Sequence, residues 1–273
     1  MTTHNTGEVD YFPERIYAPT IPSIGVSLGI DRNGQFVNLY HSPVASCIGV
    51  VGRVGSGKSV VLQSIVEQLA RSEAEVIYAA FKGVQREVRK DVPNVVFVAD
   101  NASDAITAIE HTVRVADERR KKKDTSTHRV VLVLDQIDMF VHDPMFEDPS
   151  LWEKVCTDID FIIERGGTVN VSIIMTGQRL GKLPTRLDVE RNEVFSSLIV
   201  TGSPESIDDL PGTYGDTIDT VGTHLPIGRA YYCTIRGVIQ FQAFMPNPSQ
   251  DTSDREFTVH PRLTKRLVAD NDL

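Results

Sequence analysis

The chain is organised around Gly52-Arg53-Val54-Gly55-Ser56-Gly57-Lys58-Ser59, which is a glycine, four further residues and then Gly-Lys-Ser. This order is the phosphate-binding loop pattern, in which glycines let successive backbone N–H groups approach phosphate oxygens. In such loops the lysine, here Lys58, reaches the β- and γ-phosphates, and the hydroxyl at the position of Ser59 ligates Mg²⁺. The pattern therefore predicts a nucleoside triphosphate site, with ATP and Mg²⁺ as the expected ligands.

The residues on either side of the loop supply the context that this pattern needs. Cys47-Ile48-Gly49-Val50-Val51 precedes it and is apolar and β-prone, as a buried parallel strand is. Val60 opens the segment that follows, whose apolar residues recur at helical spacing. A strand, a glycine-rich turn and a helix in this order predict that residues Gly52 to Val60 bind the nucleotide.

The composition is that of a globular protein with one large α/β domain. The chain has 273 residues, of which 41% are hydrophobic and 24% charged. Its net charge is −9, whereas a simple nucleic-acid-binding module is usually basic; a ring-shaped motor needs only a few basic loops. No apolar run approaches the length of a membrane span, so we expect a cytoplasmic location and no membrane segment of its own. Cys47, Cys156 and Cys233 have no paired spacing, which indicates buried thiols rather than a disulfide or zinc framework.

Strands alternate with helices along most of the sequence, which predicts a mostly parallel sheet with helices on both faces. Residues 1–22 read as an extended or disordered arm because they contain prolines and little periodicity. Residues 23–245 form the predicted domain, with a β-hairpin at 23–40 turned by Asn33-Gly34 and a P-loop core at 44–245. Residues 246–273 are expected to be a loosely ordered tail.

A second motif is Arg129-Val-Val-Leu-Val-Leu-Asp135, a buried strand that delivers a carboxylate to Mg²⁺. Many ATPases place a glutamate directly after this aspartate, whereas this chain has Gln136. An amide orients a water molecule but does not accept its proton. Asp138 is the substitute base if the backbone there is not a regular strand, and the alternative is a slow or partner-activated site.

A third motif, Thr176-Gly177-Gln178-Arg179, ends another core strand. Because the carboxyl ends of parallel strands line the ligand crevice, Thr176 and Gln178 are candidate sensors of the γ-phosphate, and the alternative is a polar turn. The basic run Arg119–Lys123 ends a predicted helix at about residues 104–123. Basic residues there complement the helix dipole, which favours a solvated helix end over a DNA patch.

Together these motifs resemble the FtsK/SpoIIIE family of motor ATPases, in the wider HerA–FtsK group, over residues 24–245. The residues that carry the resemblance are the phosphate loop, the hairpin Ser27–Leu39, Ala116-Asp117-Glu118-Arg119-Arg120, Arg165–Arg179, Gly228-Arg229-Ala230-Tyr231 and Phe241-Gln242-Ala243. The sequence departs from the family pattern at Gln136, where glutamate is usual, and at Phe81-Lys82-Gly83, where the family often has Asp-Pro-Lys.

The resemblance implies a RecA-like core, assembly into a homo-hexamer and ATP bound between subunits. It also implies an arginine supplied by a neighbouring subunit, for which Arg165, Arg179 and Arg186 are the candidates. The size of the chain fits a conjugation, mobile-element or phage member of the family better than a septum-anchored chromosome pump.

Three functions follow from these expectations. The first is a ring motor that translocates double-stranded DNA, with basic loops around Arg86, Arg89 and Lys90 tracking phosphates. The second is a coupling ATPase for a protein substrate, similar to EccC of type VII secretion, which Asp135-Gln-Ile-Asp138 and the net acidity favour. The third is a nucleotide-binding scaffold with weak hydrolysis.

Overall fold

The computed structural model describes residues 26–39, 46–72, 74–80, 94–99, 101–123, 128–178, 185–187, 194–202, 225 and 228–245. Several sequence predictions lie outside these residues, namely the arm at 1–22, the tail at 246–273, Phe81-Lys82-Gly83, the basic residues Arg86, Arg89 and Lys90, and Arg179.

The described residues form strands and helices in an alternating order. The strands are β1 (Ser27–Asp31), β2 (Phe36–Asn38), β3 (Cys47–Val51), β4 (Glu75–Ala80), β5 (Val95–Ala99), β6 (Val130–Asp135), β7 (Val171–Gly177), β8 (Ser197–Thr201), β9 (Arg229–Thr234) and β10 (Gly237–Ala243). The α-helices are α1 (Lys58–Arg71), α2 (Ala102–Lys122), α3 (Ile137–Phe140) and α4 (Pro149–Arg165), and 3₁₀ turns occupy Pro144–Glu147 and Gly166–Val169.

The strands form one sheet in the order β2-β1-β10-β9-β8-β3-β7-β6-β4-β5. The run from β8 to β5 is parallel, and the run from β2 to β8 is antiparallel. The predicted fold class is therefore confirmed: a mostly parallel sheet with helices on both faces and an antiparallel hairpin at the start. That hairpin, β1–β2, pairs through β1 with β10, so the first and last described strands are neighbours in the sheet.

Two apolar layers cover the sheet, one on each face. Side chains alternate along a strand, so Leu132 and Leu134 of β6 join the layer of α2 and α4. Val131 and Val133 point to the opposite face and join the layer of α1. Asp135 lies two residues after Val133, so its side chain is on the same face of the sheet. This is the face covered by α1, the helix that follows the phosphate loop.

Capping residues decide where two of the helices begin, and α2 starts slightly before the predicted residue 104. The Asn101 side chain accepts a hydrogen bond from the Asp104 N–H (2.8 Å), and α2 begins at Ala102. The Asp148 side chain caps α4, and Pro149 occupies the first helical position. The core strand that leads to Thr176 begins at Val171, because a 3₁₀ turn and a left-handed Asn170 (φ 57°) precede it.

The basic end of α2 is bound within the chain. Arg120 and Lys121 pair with Asp117, and the Arg119 guanidinium donates hydrogen bonds to the carbonyls of His128 (2.9 Å) and Val169 (3.0 Å). The Arg120 and Lys121 side chains nevertheless stay 53% and 71% exposed, as the side chains of a solvated helix end are.

The three cysteines are buried thiols, as their spacing indicates. Cys47, Cys156 and Cys233 are buried and free. Burial raises the pKa of the Cys47 thiol, and it raises the pKa of Cys233 to about 12. Within the described ranges, no helix is both long and apolar enough to cross a membrane.

Candidate nucleotide-binding site

The predicted phosphate loop connects β3 directly to α1. Gly57 precedes the helix in the left-handed conformation (φ 96°), which favours glycine, and no side chain caps the helix. Arg53, Val54 and Gly55 are exposed. The positive end of the α1 dipole and its first-turn N–H groups thus face the loop, an arrangement that suits an anion.

The Lys58 ammonium lies against the backbone of the loop. It donates hydrogen bonds to the carbonyls of Gly52 and Arg53, the second at 2.8 Å. Ser59, one residue further along the helix, is exposed. The two side chains expected to meet phosphate and metal therefore lie together in the first turn of α1.

The end of β8 packs against the loop, a contact that the sequence did not predict. The hydroxyls of Ser56 and Thr201 are hydrogen-bonded at 2.7 Å, and Thr201 also donates to the carbonyl of Val51 (3.2 Å). A Cβ atom at Gly52 would lie 2.3 Å from the Thr201 carbonyl oxygen, so only glycine fits there. The place of Thr201 beside the loop depends on the order of strands in the sheet, which no local sequence signal gives.

The carboxyl ends of neighbouring parallel strands meet at this edge of the sheet. β7 lies between β3 and β6, with Val51 in register with Gly177. The Gly52 N–H donates to the Gly177 carbonyl at 3.3 Å, and the exposed Gln178 follows immediately. Asp135 ends β6 beside β7, so all three predicted motifs reach the same edge, where α/β proteins bind ligands.

The Asp135 carboxylate is buried, with 3% of its surface exposed, and both of its oxygens accept hydrogen bonds. Thr176 donates to Oδ1 and Tyr78 donates to Oδ2, each at 2.6 Å. A carboxylate has about four acceptor positions, so each oxygen keeps capacity for a further ligand. No local signal in the sequence identifies the contact of Tyr78 with Asp135.

The Thr176 hydroxyl joins the second motif to the third. It donates to Asp135 and accepts a hydrogen bond from the Gln136 N–H at 2.9 Å, and Thr176 is fully buried. Its role as a γ-phosphate sensor stays a prediction. Because the hydroxyl is bonded to Asp135, Thr176 would act in that role by positioning the Asp135 carboxylate.

The backbone leaves the strand directly after Asp135. Gln136 adopts the left-handed conformation (φ 62°, ψ 55°), which is uncommon for a residue other than glycine, and α3 begins at Ile137. Asp138 was expected to be a substitute base only if the backbone there is not a regular strand. This condition is met, since Asp138 lies in the first turn of a helix. Asp138 Oδ1 is buried and has no hydrogen-bond partner among the described residues.

The two candidate arginines within the described ranges lie apart from these motifs. Arg165 ends α4, before β7 begins, so the length of β7, roughly 20 Å, separates it from the site edge of its own chain. Its side chain is 61% exposed. Arg186 is held by Glu153 (3.6 Å) and Asp160 (3.8 Å) on α4.

The side chains at the sheet edge fit a magnesium–nucleotide complex. Mg²⁺ prefers oxygen ligands and is usually held by one or two protein groups together with phosphates and water. Ser59 and Asp135 supply a hydroxyl and a carboxylate on the α1 face. No cluster of three or more His, Cys, Asp or Glu side chains suited to a metal occurs in the part of the chain that the structure describes, and a nucleotide-bound ion does not need one.

We expect Thr176→Val to destabilise the ligand-free protein by about 2 to 4 kcal/mol. Valine keeps the shape of threonine but leaves Asp135 Oδ1 and the Gln136 N–H without the hydroxyl that both now use. Chemical denaturation without nucleotide measures the effect. Thr176→Ser, which keeps the hydroxyl, is the matched control; equal stability of the two variants would show that these contacts contribute little.

Comparisons with known proteins give a family and a set of similar folds. The sequence model of a protein family described as an AAA domain matches residues 44–187, more than half of the chain. No curated protein sequence matches. The solved structure of the conjugation coupling protein TcpA of pCW3, a monomer form with ATPγS, superposes with a TM-score of 0.66 at 18% identity, covering 94% of this chain and 75% of TcpA.

Two structures of the type VII secretion ATPase EccC from Thermomonospora curvata are also similar. The cytoplasmic domain has a TM-score of 0.61 at 16% identity, over 87% of this chain and 28% of EccC. ATPases 2 and 3, in complex with a signal sequence peptide, have a TM-score of 0.60 at 18% identity, over 87% of this chain and 44% of that one. The chain thus spans less than half of either EccC structure.

At these identities the structural likeness concerns the fold, and it confirms the fold of the FtsK/SpoIIIE-type coupling ATPases. The family match covers the loop, Asp135 and Thr176 in one unbroken stretch. On this evidence the chain belongs to the AAA domain family of P-loop ATPases.

Proposed function

We propose that the chain binds Mg²⁺ and ATP at residues 52–60, hydrolyses the ATP, and works as a ring motor that translocates double-stranded DNA. The observation that carries the nucleotide part is the shared position of the loop and Asp135, on one face and at one edge of the sheet. Ring motors of this fold need both groups at one nucleotide.

Each residue of the site has a role in this proposal. The loop N–H groups and the Lys58 ammonium bind phosphate oxygens, and Ser59 and Asp135 hold the ion. An ion held there would neutralise phosphate charge while the γ-phosphoryl group is transferred to water. The Gln136 amide orients the attacking water. Asp138 Oδ1, which has no hydrogen-bond partner among the described residues, is the candidate acceptor for its proton. Gln178, exposed beside the loop, is the candidate sensor of the γ-phosphate.

The position of Arg165 supports the homo-hexamer. This exposed side chain is too far from the site edge of its own chain to reach that chain's nucleotide. An arginine in this place stabilises transition-state charge only at the site of a neighbouring copy. The test is whether Arg165→Ala lowers turnover without lowering nucleotide affinity.

The likeness to TcpA supports DNA as the polymer. TcpA is described as a conjugation coupling protein, and this chain covers 75% of its length. A motor that tracks the phosphate backbone needs only a few basic loops, so a net charge of −9 is compatible with this substrate.

The second candidate is a coupling ATPase for protein export. EccC is described as a type VII secretion ATPase, and one of its structures holds a signal sequence peptide. The residue in this chain that favours export is Gln136, since an altered carboxylate suits an ATPase that binds nucleotide tightly and turns over slowly. In that case the chain is a docking platform or a scaffold with weak hydrolysis.

We expect linear double-stranded DNA to stimulate ATP hydrolysis several-fold at low salt and to lose this effect as salt increases, because non-specific phosphate contacts release counterions. Steady-state ATPase measurements on the assembled oligomer, with Lys58→Ala as the zero-activity control, check this. The absence of stimulation at low salt would exclude the DNA motor. Unstimulated turnover that responds to a secretion-signal peptide would indicate export, and bound ATP without turnover would indicate a scaffold.

A further inference from the structure

Tyr78 connects a second strand to the metal-binding carboxylate. It lies in β4, in register with Val133 of β6, and its ring belongs to the apolar layer on the α1 face. The side chain is fully buried, and its hydroxyl donates to Asp135 Oδ2 at 2.6 Å.

The hydroxyl is the part of Tyr78 that packing does not explain. Phenylalanine fills the same volume and brings no polar group into the layer, whereas a buried phenol must find a partner. Its partner, Asp135, is the only buried carboxylate among the described residues. A buried charge in turn requires hydrogen-bond donors, so the two groups satisfy each other.

The carboxylate is held from both sides by the strands that flank β6. Thr176 of β7 donates to Oδ1, and Tyr78 of β4 donates to Oδ2. Two donors on different oxygens fix the rotation of the carboxylate plane, which one donor does not. Because each oxygen retains an acceptor position, the fixed carboxylate still has capacity for an ion or for the water bound to it.

We propose that Tyr78 is a positioning residue for magnesium: its phenol holds Asp135 in the orientation that receives the ion. This inference rests on the proposed nucleotide site and adds the residue that sets its metal affinity. Groups that hydrogen-bond to metal ligands typically contribute about 10- to 100-fold to metal affinity.

Tyr78→Phe tests the proposal through metal-dependent nucleotide binding. Mg²⁺ is titrated into the full chain with a fluorescent ATP analogue, and the titration is repeated in EDTA. We expect the half-saturating Mg²⁺ concentration to rise about tenfold or more while the affinity in EDTA stays unchanged. Tyr231→Phe is the matched control, because it removes a buried phenol from the opposite face of the sheet.

A double variant separates positioning from a structural role. In an Asp135→Asn background, Tyr78→Phe should no longer change the Mg²⁺ dependence, because the group on which the phenol acts is altered. An unchanged Mg²⁺ dependence in Tyr78→Phe, even with a lower melting temperature, would overturn the proposal, and so would an effect that persists with Asp135→Asn. If the unmodified chain binds the analogue without any response to Mg²⁺, the nucleotide site itself is wrong.

Discussion

Replacing Lys58 with alanine is expected to weaken ATP binding by about 100-fold or more, the largest single effect at the site. The ammonium lies against the Gly52 and Arg53 carbonyls, in the first turn of α1. It therefore lies against the loop that is expected to hold the phosphates, and it donates charge-assisted hydrogen bonds, which are stronger than neutral ones. Titration with a non-hydrolysable ATP analogue measures the loss.

The control for Lys58→Ala is Lys122→Ala, which makes the same change in charge at an exposed position. Lys122 is 72% exposed at the far end of α2, where it pairs with Glu118. We expect Lys122→Ala to leave the affinity unchanged, since surface ion pairs contribute little. If Lys58→Ala unfolds like the parent chain and still binds ATP with the same affinity, the assignment of the nucleotide site to residues 52–60 is wrong.

The parallel half of the fold was predictable because its signals are local. A continuous apolar run such as Val130–Leu134 predicts a strand buried on both faces, and β6 has these features. The Asn33-Gly34 turn also predicts its hairpin, in which the Asp31 carboxylate accepts hydrogen bonds from the N–H groups of Asn33 and Gln35. Each of these elements depends on neighbours in sequence.

The pairing of β1 with β10 was not predictable, because it joins residues more than two hundred positions apart. Gly29 lies opposite Ala243, and a Cβ at Gly29 would collide with the Gln242 carbonyl oxygen at 1.9 Å. A glycine in a strand indicates a close approach but does not identify the partner. The same limit applies to Thr201 and Tyr78, whose hydroxyls matter only because of the strand order.

The turn at Gln136 was missed for a different reason. Residue preferences do not predict its left-handed conformation, because glutamine is not among the residues enriched in that region. The surrounding contacts impose it: the Gln136 N–H donates to Thr176, and α3 begins one residue later. The motif located the Asp135 carboxylate at the end of its strand, whereas the geometry beyond it depends on these tertiary contacts.

We expect Gln136→Glu to raise the rate of ATP hydrolysis by about 10- to 100-fold, equivalent to about 1.4 to 2.7 kcal/mol in the barrier. Glutamate keeps the length and the backbone of glutamine, so the left-handed turn and the hydrogen bond to Thr176 are unaffected. The carboxylate adds the ability to accept a proton from water, which the amide lacks. Single-turnover hydrolysis at saturating ATP measures the change.

Gln136→Asp supplies the matched control. It adds the same charge on a side chain that is one methylene shorter, so the carboxylate does not reach the position of the glutamate carboxylate. A rise in both variants would reflect charge near the metal rather than a positioned base. No rise with Gln136→Glu would assign the base to Asp138, whose buried Oδ1 has no hydrogen-bond partner among the described residues. In that case Asp138→Asn should abolish hydrolysis in the unmodified background while ATP affinity, which depends on Lys58 and the loop, stays intact.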